Sequence, residues 1–187
     1  MIVTFLRMPL AALAALMMIV LSPAQPQAAA SCPVAPFVQS AGNAYDSAAR
    51  NGSPAAFANA AGRYTDLRAL SFFALGRYRK DLPKSREAEY LALTRKFIGE
   101  FMQDYGKGFR ASELTITGCK VSGSSYVVNG KLSTGGSVIF RVSKSGRQTI
   151  TDINMKGIWL AQQLRSTFVG TISRTGSIDG LFDYLKS

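Results

Sequence analysis

The first half of the chain after residue 31 carries apolar residues at three- and four-residue intervals, the spacing of amphipathic helices. The pattern predicts a helix from Val34 to about Asn51, a second that restarts at Ser53-Pro54 with Ser as N-cap, and a third that begins near Asp66. A longer helix is capped by Ser85, with acids in its first turn, where the helix dipole favours negative charge. One face of this helix is strongly aromatic and carries Tyr90, Thr94, Phe97, Phe101 and Tyr105.

The hydrophobic period changes from about 3.6 residues to 2 after Gly106-Lys107-Gly108, which indicates β-strands. The breaks between the predicted strands contain Gly123, Gly135-Gly136 and Ser145-Gly146, each suited to a tight turn. Because parallel crossovers need much longer connections, we expect an antiparallel meander. Its four predicted strands are Leu114–Cys119, Tyr126–Leu132, Val138–Val142 and Thr149–Met155.

A helical pattern returns at the end of the chain. An i, i+4 stripe starts near Ile158, and Gly176-Ser177 separates it from a last short helix. We therefore expect an α+β fold in which a curved, antiparallel, four-stranded sheet has helices packed over one face. The expected single domain covers 31–187, and it is mainly helical over 31–110, sheet over 111–156 and helical over 157–187.

Residues 1–30 have the features of an export signal. The run 10–21 holds twelve apolar residues, which is shorter than the roughly 18 that a bilayer span needs but suits a signal-peptide core. Ala28-Ala29-Ala30 supplies small residues before a cleavage site, so we expect cleavage before Ser31 and export of the rest. The alternative is lipoprotein processing at Cys32, against which the preceding residues lack the usual Leu.

Charge and composition exclude several kinds of chemistry. The chain has 22 Lys and Arg, 11 Asp and Glu and no His, which gives the exported part a net charge of +10 because 1–30 holds one Arg and no acid. Without His, neither a Ser-His-Asp or Cys-His nucleophile system nor an imidazole metal site is present. In an exported protein the basic charge favours anionic head groups or acidic partner proteins over nucleic acid, and a solvated basic surface is the alternative.

Both cysteines, Cys32 and Cys119, lie in the exported part. In an oxidising compartment such a pair more often forms a disulfide than stays reduced. The bond would join the N-terminus of the exported chain to the strand that carries Cys119, a structural role worth roughly 4 kcal/mol on the chain-entropy model.

No group of residues has a catalytic pattern. Glu100 and Asp104 stand four apart, a spacing expected by chance among 11 acids, and Asp152 fits an edge or turn partner better than a general base. The glycine-rich turns lack phosphate-loop spacing. We therefore expect no enzyme, no cofactor and no metal. The apolar stripes either pack on one another as core or leave a cavity for a lipid-like ligand, and the pattern alone leaves both open.

Three segments resemble those of a known family. Leu75-Gly76-Arg77-Tyr78-Arg79, followed by the aromatic helix, is similar to the family's LG-x-x-W/Y-R stretch. The segment 151–157 resembles its Y-D-V-x-I-E-G strand end, and 160–181 resembles its closing S-L-x-x-x-x-R-x-x-F and G-x-x-G-L-I-x-x-L signature. In order and spacing, the chain resembles the MlaC-like, toluene-tolerance-type family of periplasmic phospholipid-binding proteins, the soluble components of lipid ABC transport systems.

The resemblance implies a nuclear-transport-factor-like sheet with a helical subdomain and a function without catalysis. A periplasmic carrier of this type would bury glycerophospholipid tails and move lipid between an outer-membrane lipoprotein complex and an inner-membrane ABC transporter. The chain departs from the family where Gly146-Arg147-Gln148 lacks a usual Trp, where Trp159 replaces a small hydroxyl residue and where Lys156 replaces an acid. These departures keep a hopanoid-like lipid as an alternative ligand, and a small secreted enzyme on the same fold is a second alternative.

The residues expected to contact the lipid come from the helix and sheet stripes and from the three matching segments. Arg77, Arg79 and Arg165 are candidates for the head-group phosphate or for docking to partner proteins, with surface solubility or a salt bridge to an acid such as Asp152 as the alternative. Gly106-Lys107-Gly108 is a candidate hinge that opens the pocket. The predicted tail-contacting residues are Phe97, Phe101, Tyr105, Phe140, Val142, Trp159, Leu164 and Phe168.

Overall fold

The computed structural model describes residues 32–105, 114–133 and 135–187. The predicted export signal and the predicted hinge at 106–108 lie outside these residues. The described helices are α1 (Ala35–Asn51), α2 (Pro54–Tyr64), α3 (Leu67–Leu75), α4 (Glu87–Tyr105), α5 (Leu160–Thr175) and α6 (Ile178–Lys186). The described strands are β1 (Leu114–Ser122), β2 (Ser125–Leu132), β3 (Ser137–Ser143), β4 (Ile150–Met155) and β5 (Ile158–Trp159).

Local capping explains where two of the helices begin. The Ser53 hydroxyl accepts the Ala56 N–H at 3.2 Å to start α2, and an Asp66 carboxylate oxygen accepts the Ala69 N–H at 2.9 Å to start α3. Both starts agree with the sequence. The predicted cap at Ser85 is wrong, because Ser85 lies in a 3₁₀ turn, Lys84–Arg86, that follows Pro83 and precedes α4.

The strands form one antiparallel sheet in the order β1-β2-β3-β4-β5, so each strand pairs with its neighbour in sequence. The meander agrees with the prediction, but the described part of the sheet has five strands where the sequence predicts four. The additional strand, β5, pairs Trp159 with Asn154 and Ile158 with Met155. Two residues are too few to show a period of 2, so the sequence pattern assigns them to the helix that follows.

One face of the sheet is apolar and covered. Phe140 in β3 lies opposite Val128 in β2 and Ile153 in β4, and all three side chains are buried. On the same face, Cys119 pairs in register with Val128 and forms a disulfide with Cys32, with the two Cα atoms 5.5 Å apart. The bond fastens the segment before α1 to the sheet.

The helices pack in pairs, with α2 on α4, α3 on α5 and α5 on α6, and α1, α3 and α5 contact the sheet. Gly99 permits the close approach of α4 to α2, because a Cβ atom there would stand 2.3 Å from the Pro54 carbonyl oxygen. The start of α3 is tied to the sheet by the Asp66 N–H, which donates to the Ile150 carbonyl at 3.0 Å. None of the described helices is both long and apolar enough to cross a membrane.

Candidate ligand-binding site

An aromatic layer forms where α4, α5 and α6 meet. Its members are Tyr90 and Phe97 from α4, Phe168 from α5 and Phe182 from α6. The Phe168 ring lies 5.4 Å from the Phe97 ring and 6.3 Å from the Tyr90 ring, both in edge-on geometry. Burial raises the pKa of Tyr90, whose hydroxyl donates to the Ser71 carbonyl at 2.6 Å and so joins α4 to α3.

An aromatic stripe continues from this layer towards solvent along α4. It consists of Phe97, Phe101 and Tyr105, which follow one another at four-residue intervals. The Phe101 and Tyr105 rings stack at 4.3 Å, and Tyr105 is 49% exposed. Tyr184 of α6, also exposed, lies 5.9 Å from Phe97. Aromatic side chains therefore follow one another along α4, from Phe97 in contact with the buried Phe168 to the exposed Tyr105.

The eight predicted tail-contacting residues divide between core and surface. Phe140, Val142, Leu164 and Phe168 are fully buried, Phe97 and Phe101 are half-buried, and Tyr105 is exposed. Trp159 stands apart from the aromatic layer: it lies in β5, and the Arg141 guanidinium stacks 4.2 Å from its ring. The structure thus joins Phe97 to Phe168 and Phe101 to Tyr105 by ring contact, and it places Trp159 with a cation.

A cleft of about 750 Å³ lies between α3, the 3₁₀ turn Gly76–Asp81 and α5. We call it the arginine cleft, because its walls carry Arg68, Arg77, Arg79 and Arg165. Its other lining residues are Asp66, Ala69, Phe72, Phe73 and Gly76. All three arginines predicted from the sequence therefore line one cleft.

Aromatic rings hold the guanidinium groups of the arginine cleft. The Arg68 and Arg79 guanidinium carbons lie 4.6 and 4.7 Å from the centroid of the Phe72 ring. The Arg165 group lies 5.1 Å from the Phe73 ring. On the turn, Arg77 stacks on Tyr78 at 4.9 Å and donates to its hydroxyl at 2.9 Å. Stacking fixes each group without neutralising its charge.

Acidic counter-charges are few in the arginine cleft. Arg68 forms a salt bridge with Glu87. Within the described ranges, Arg77, Arg79 and Arg165 have no carboxylate within salt-bridge distance. The acid that lines the cleft, Asp66, already accepts the Ala69 N–H as the cap of α3. The cleft therefore presents a positive potential to any ligand.

Gly76 brings the first and third matching segments into contact. It ends α3 at φ +54° and ψ −125°, a conformation that essentially only glycine adopts. The Arg165 guanidinium packs against it, since a Cβ atom on Gly76 would stand 3.2 Å from Nε and Nη2. The glycine thus both turns the chain and makes room for the arginine.

Asp152 joins the second matching segment to α5. One of its carboxylate oxygens accepts the N–H groups of Ile153 at 2.9 Å and Ala161 at 3.0 Å, so it caps the first turn of α5. Burial raises the pKa of Asp152, against the opposing effects of these two hydrogen bonds and of the Arg141 charge. A smaller cleft of about 330 Å³, lined by Asp152 and Arg141, shares Ala69 and Phe73 with the arginine cleft.

The sequence prediction omitted Arg68, Phe72 and Phe73 from the site. Arg68 and Phe72 stand four residues apart on α3, a spacing that places a guanidinium over a ring. This signal was available in the sequence, but the helix pattern explains Phe72 equally well as core. Among the described residues, no group of three or more His, Cys, Asp or Glu side chains could hold a metal ion.

Comparison with known proteins assigns the family. No curated protein matches the chain significantly. A solved structure with a similar fold is the phospholipid-binding protein from Ralstonia solanacearum in complex with a phospholipid, with a TM-score of 0.65 and 18% sequence identity. The alignment covers 81% of this chain and 93% of that protein. The family model for MlaC protein matches residues 39–187, and the chain therefore belongs to the MlaC family.

Proposed function

We propose that this protein is a carrier that binds a glycerophospholipid and keeps its acyl tails from water. Membership of the MlaC family and the fold shared with a phospholipid-bound protein support the choice of ligand. The observation that carries the proposal is the aromatic stripe, which leads from exposed Tyr105 to the contact between Phe97 and buried Phe168. Such a surface gives acyl chains an apolar path from solvent to the core.

The energetics favour a carrier over free diffusion. Each acyl CH₂ group kept from water is worth roughly 0.8 kcal/mol, so a tail of about 16 carbons opposes transfer into water by roughly 12 kcal/mol. The protein therefore has to bury the tails, whereas the head group tolerates water. We propose that the tails lie between the sheet and the helices, against the eight apolar residues predicted from the sequence, in a nuclear-transport-factor-like arrangement.

Access to that position requires α4 to move relative to α5. Phe140, Leu164 and Phe168 are each at most 1% exposed, so a tail reaches them only when the Phe97–Phe168 contact opens. Phe97 is half-buried and its other neighbour, Tyr184, is exposed, which leaves this contact nearer the surface than the rest of the aromatic layer. The proposed opening therefore begins at Phe97.

We propose further that residues 1–30 direct export, and that the protein acts in the periplasm between an outer-membrane lipoprotein complex and an inner-membrane ABC transporter. The apolar run in 10–21 supports export. The two partner complexes are those that the resemblance to MlaC-like carriers implies. Catalysis has no part in this function, because transfer of an intact lipid breaks no covalent bond.

Lipid transfer between vesicles tests the proposal. Donor vesicles contain fluorescent phosphatidylethanolamine with a quencher, and transfer to acceptor vesicles restores fluorescence. The variant Phe101→Asp/Tyr105→Asp places two charges on the exposed half of the stripe, and transfer should slow about tenfold because tails must pass them. The control Val121→Asp/Ile158→Asp adds the same charge at exposed apolar residues outside the stripe. Equal rates for wild type and both variants would contradict the proposal.

A further inference from the structure

The arginine cleft gathers four like charges, and in the described part of the chain three of them, those of Arg77, Arg79 and Arg165, have no acidic partner. Arg68 and Arg79 stack on the same Phe72 ring, at 4.6 and 4.7 Å, so their guanidinium carbons are less than about 10 Å apart. Arg165 adds a third cation, over Phe73. Like charges at this separation repel one another, and an anion bound in the cleft would attract the guanidinium groups that line it. The cleft is therefore prepared for a negatively charged ligand.

The arginines are also arranged to recognise oxygen atoms. A guanidinium group that lies over a ring still has N–H groups to donate, and these match the oxygens of a phosphate in two parallel hydrogen bonds. The four guanidinium groups line one concave site of about 750 Å³. This shape suits a compact anion with several oxygens better than an extended acidic peptide, whose same-face side chains repeat roughly every 7 Å.

We propose that the arginine cleft binds the phosphodiester of the lipid head group, an inference that rests on the proposed carrier function. The floor residue Phe72 is buried and Arg165 is on α5, one turn before Phe168 of the aromatic layer. A single lipid with its phosphate in the cleft therefore has the core side of α3 and α5 directly beneath it. Gly76 is required because it admits the Arg165 guanidinium.

The test compares two lipids with the same tails, so that the head group is the only difference. Dipalmitoyl phosphatidylglycerol and dipalmitoylglycerol are presented to the full exported chain in the same non-ionic detergent, and binding is titrated. We expect the wild type to bind the phospholipid about tenfold more tightly, because charge-assisted hydrogen bonds form only with the phosphate. The variant Arg77→Ala/Arg79→Ala/Arg165→Ala should lower this preference to less than about twofold and leave binding of dipalmitoylglycerol unchanged.

A matched control separates the cleft from net charge. Lys120→Ala/Lys131→Ala/Lys144→Ala also removes three charges, at exposed positions in and beside the sheet, and should keep the tenfold preference. Thermal unfolding of both triple variants checks that each is folded. An arginine variant that keeps the wild-type preference, or a lysine variant that loses it equally, overturns the proposal.

The failure of this inference differs from failure of the proposed function. If the wild type binds both lipids equally well, the carrier function stands and the cleft does not recognise the head group. If it binds neither lipid, the carrier function falls and the inference falls with it. A further arm adds free glycerophosphate: if this compound alone binds as tightly as the phospholipid, the cleft serves a soluble phosphate ester and the lipid proposal is overturned.

Discussion

The aromatic layer and the arginine cleft lie on the same helix, α5, yet they are built on opposite principles. In the layer, Phe168 is fully buried and contacts the rings of Tyr90 and Phe97. In the cleft, one turn earlier, Arg165 stacks on the exposed Phe73 and has no acid partner in the described part of the chain. The rings of the aromatic layer contact one another, whereas Arg165 in the arginine cleft can still pair with an anionic ligand.

This difference separates stability from binding. Ring contacts that exclude water stabilise the fold whether or not a ligand is present. Unpaired cations on a surface contribute little to the stability of the fold. They gain favourable interaction energy only when an anion binds to them. Substitutions in the aromatic layer should therefore change stability, and substitutions in the arginine cleft should change ligand binding.

The largest effect is expected from Phe168→Ala. Removing this ring leaves a cavity next to Tyr90 and Phe97, and the free energy of unfolding should fall by about 4 kcal/mol. Arg165→Ala should change it by less than about 1 kcal/mol, because the side chain is not part of the core. Urea unfolding of both variants measures the contrast. A similar loss in the two variants would show that the cleft is part of the stabilising core.

Gly76→Ala should lower both the stability of the fold and the preference for a phospholipid, which the other variants change separately. Its backbone conformation costs a residue with a side chain about 2 kcal/mol, and the new methyl group pushes against the Arg165 guanidinium. We expect a loss of stability of about this size together with a weaker preference for phosphatidylglycerol over dipalmitoylglycerol. Urea unfolding and the two-lipid titration measure both. A destabilised variant with unchanged lipid preference would show that Gly76 has no part in binding the head group.

The smallest effect is expected at Asp152, the residue of β4 that is hydrogen-bonded to the first turn of α5. Because burial raises the pKa of Asp152, the folded protein holds this proton more tightly than the unfolded chain, whose Asp pKa is about 3.9. The contribution of Asp152 to stability is therefore greatest below this pH and falls as pH rises through the folded pKa. Asp152→Asn keeps the acceptor for the Ala161 N–H and does not titrate.

The stability of Asp152→Asn relative to wild type should consequently increase between about pH 4 and pH 7. Urea unfolding of both proteins at a series of pH values measures the difference. A difference that decreases over this range would mean that the hydrogen bonds from Ile153 and Ala161 outweigh burial.

How much of this molecule the sequence predicts depends on the range of the interactions. The starts of α2 and α3 are predicted because Ser53 and Asp66 cap their own helices within three residues. Strand β5 is not, because it exists only by pairing with β4. Its two residues carry no period of their own.

The site shows the same division. The segments that hold Arg77, Arg79 and Arg165 mark these three residues as candidates for anion contact, which stays a prediction. The sequence does not predict that the three arginines line one cleft. That arrangement depends on the contact between Gly76 and Arg165, two residues that are distant in the chain. For the aromatic residues, a helical pattern marks Phe97 and Phe168 as apolar, but it does not distinguish core from ligand contact.

The most direct test of the central claim, that this chain carries a glycerophospholipid, is organic extraction of the purified exported protein followed by lipid mass spectrometry. We predict about one glycerophospholipid per chain, because the proposed site has one aromatic stripe for the tails and one arginine cleft for the phosphate. A polycyclic isoprenoid in its place, or a well-folded protein without any lipid, would contradict the account.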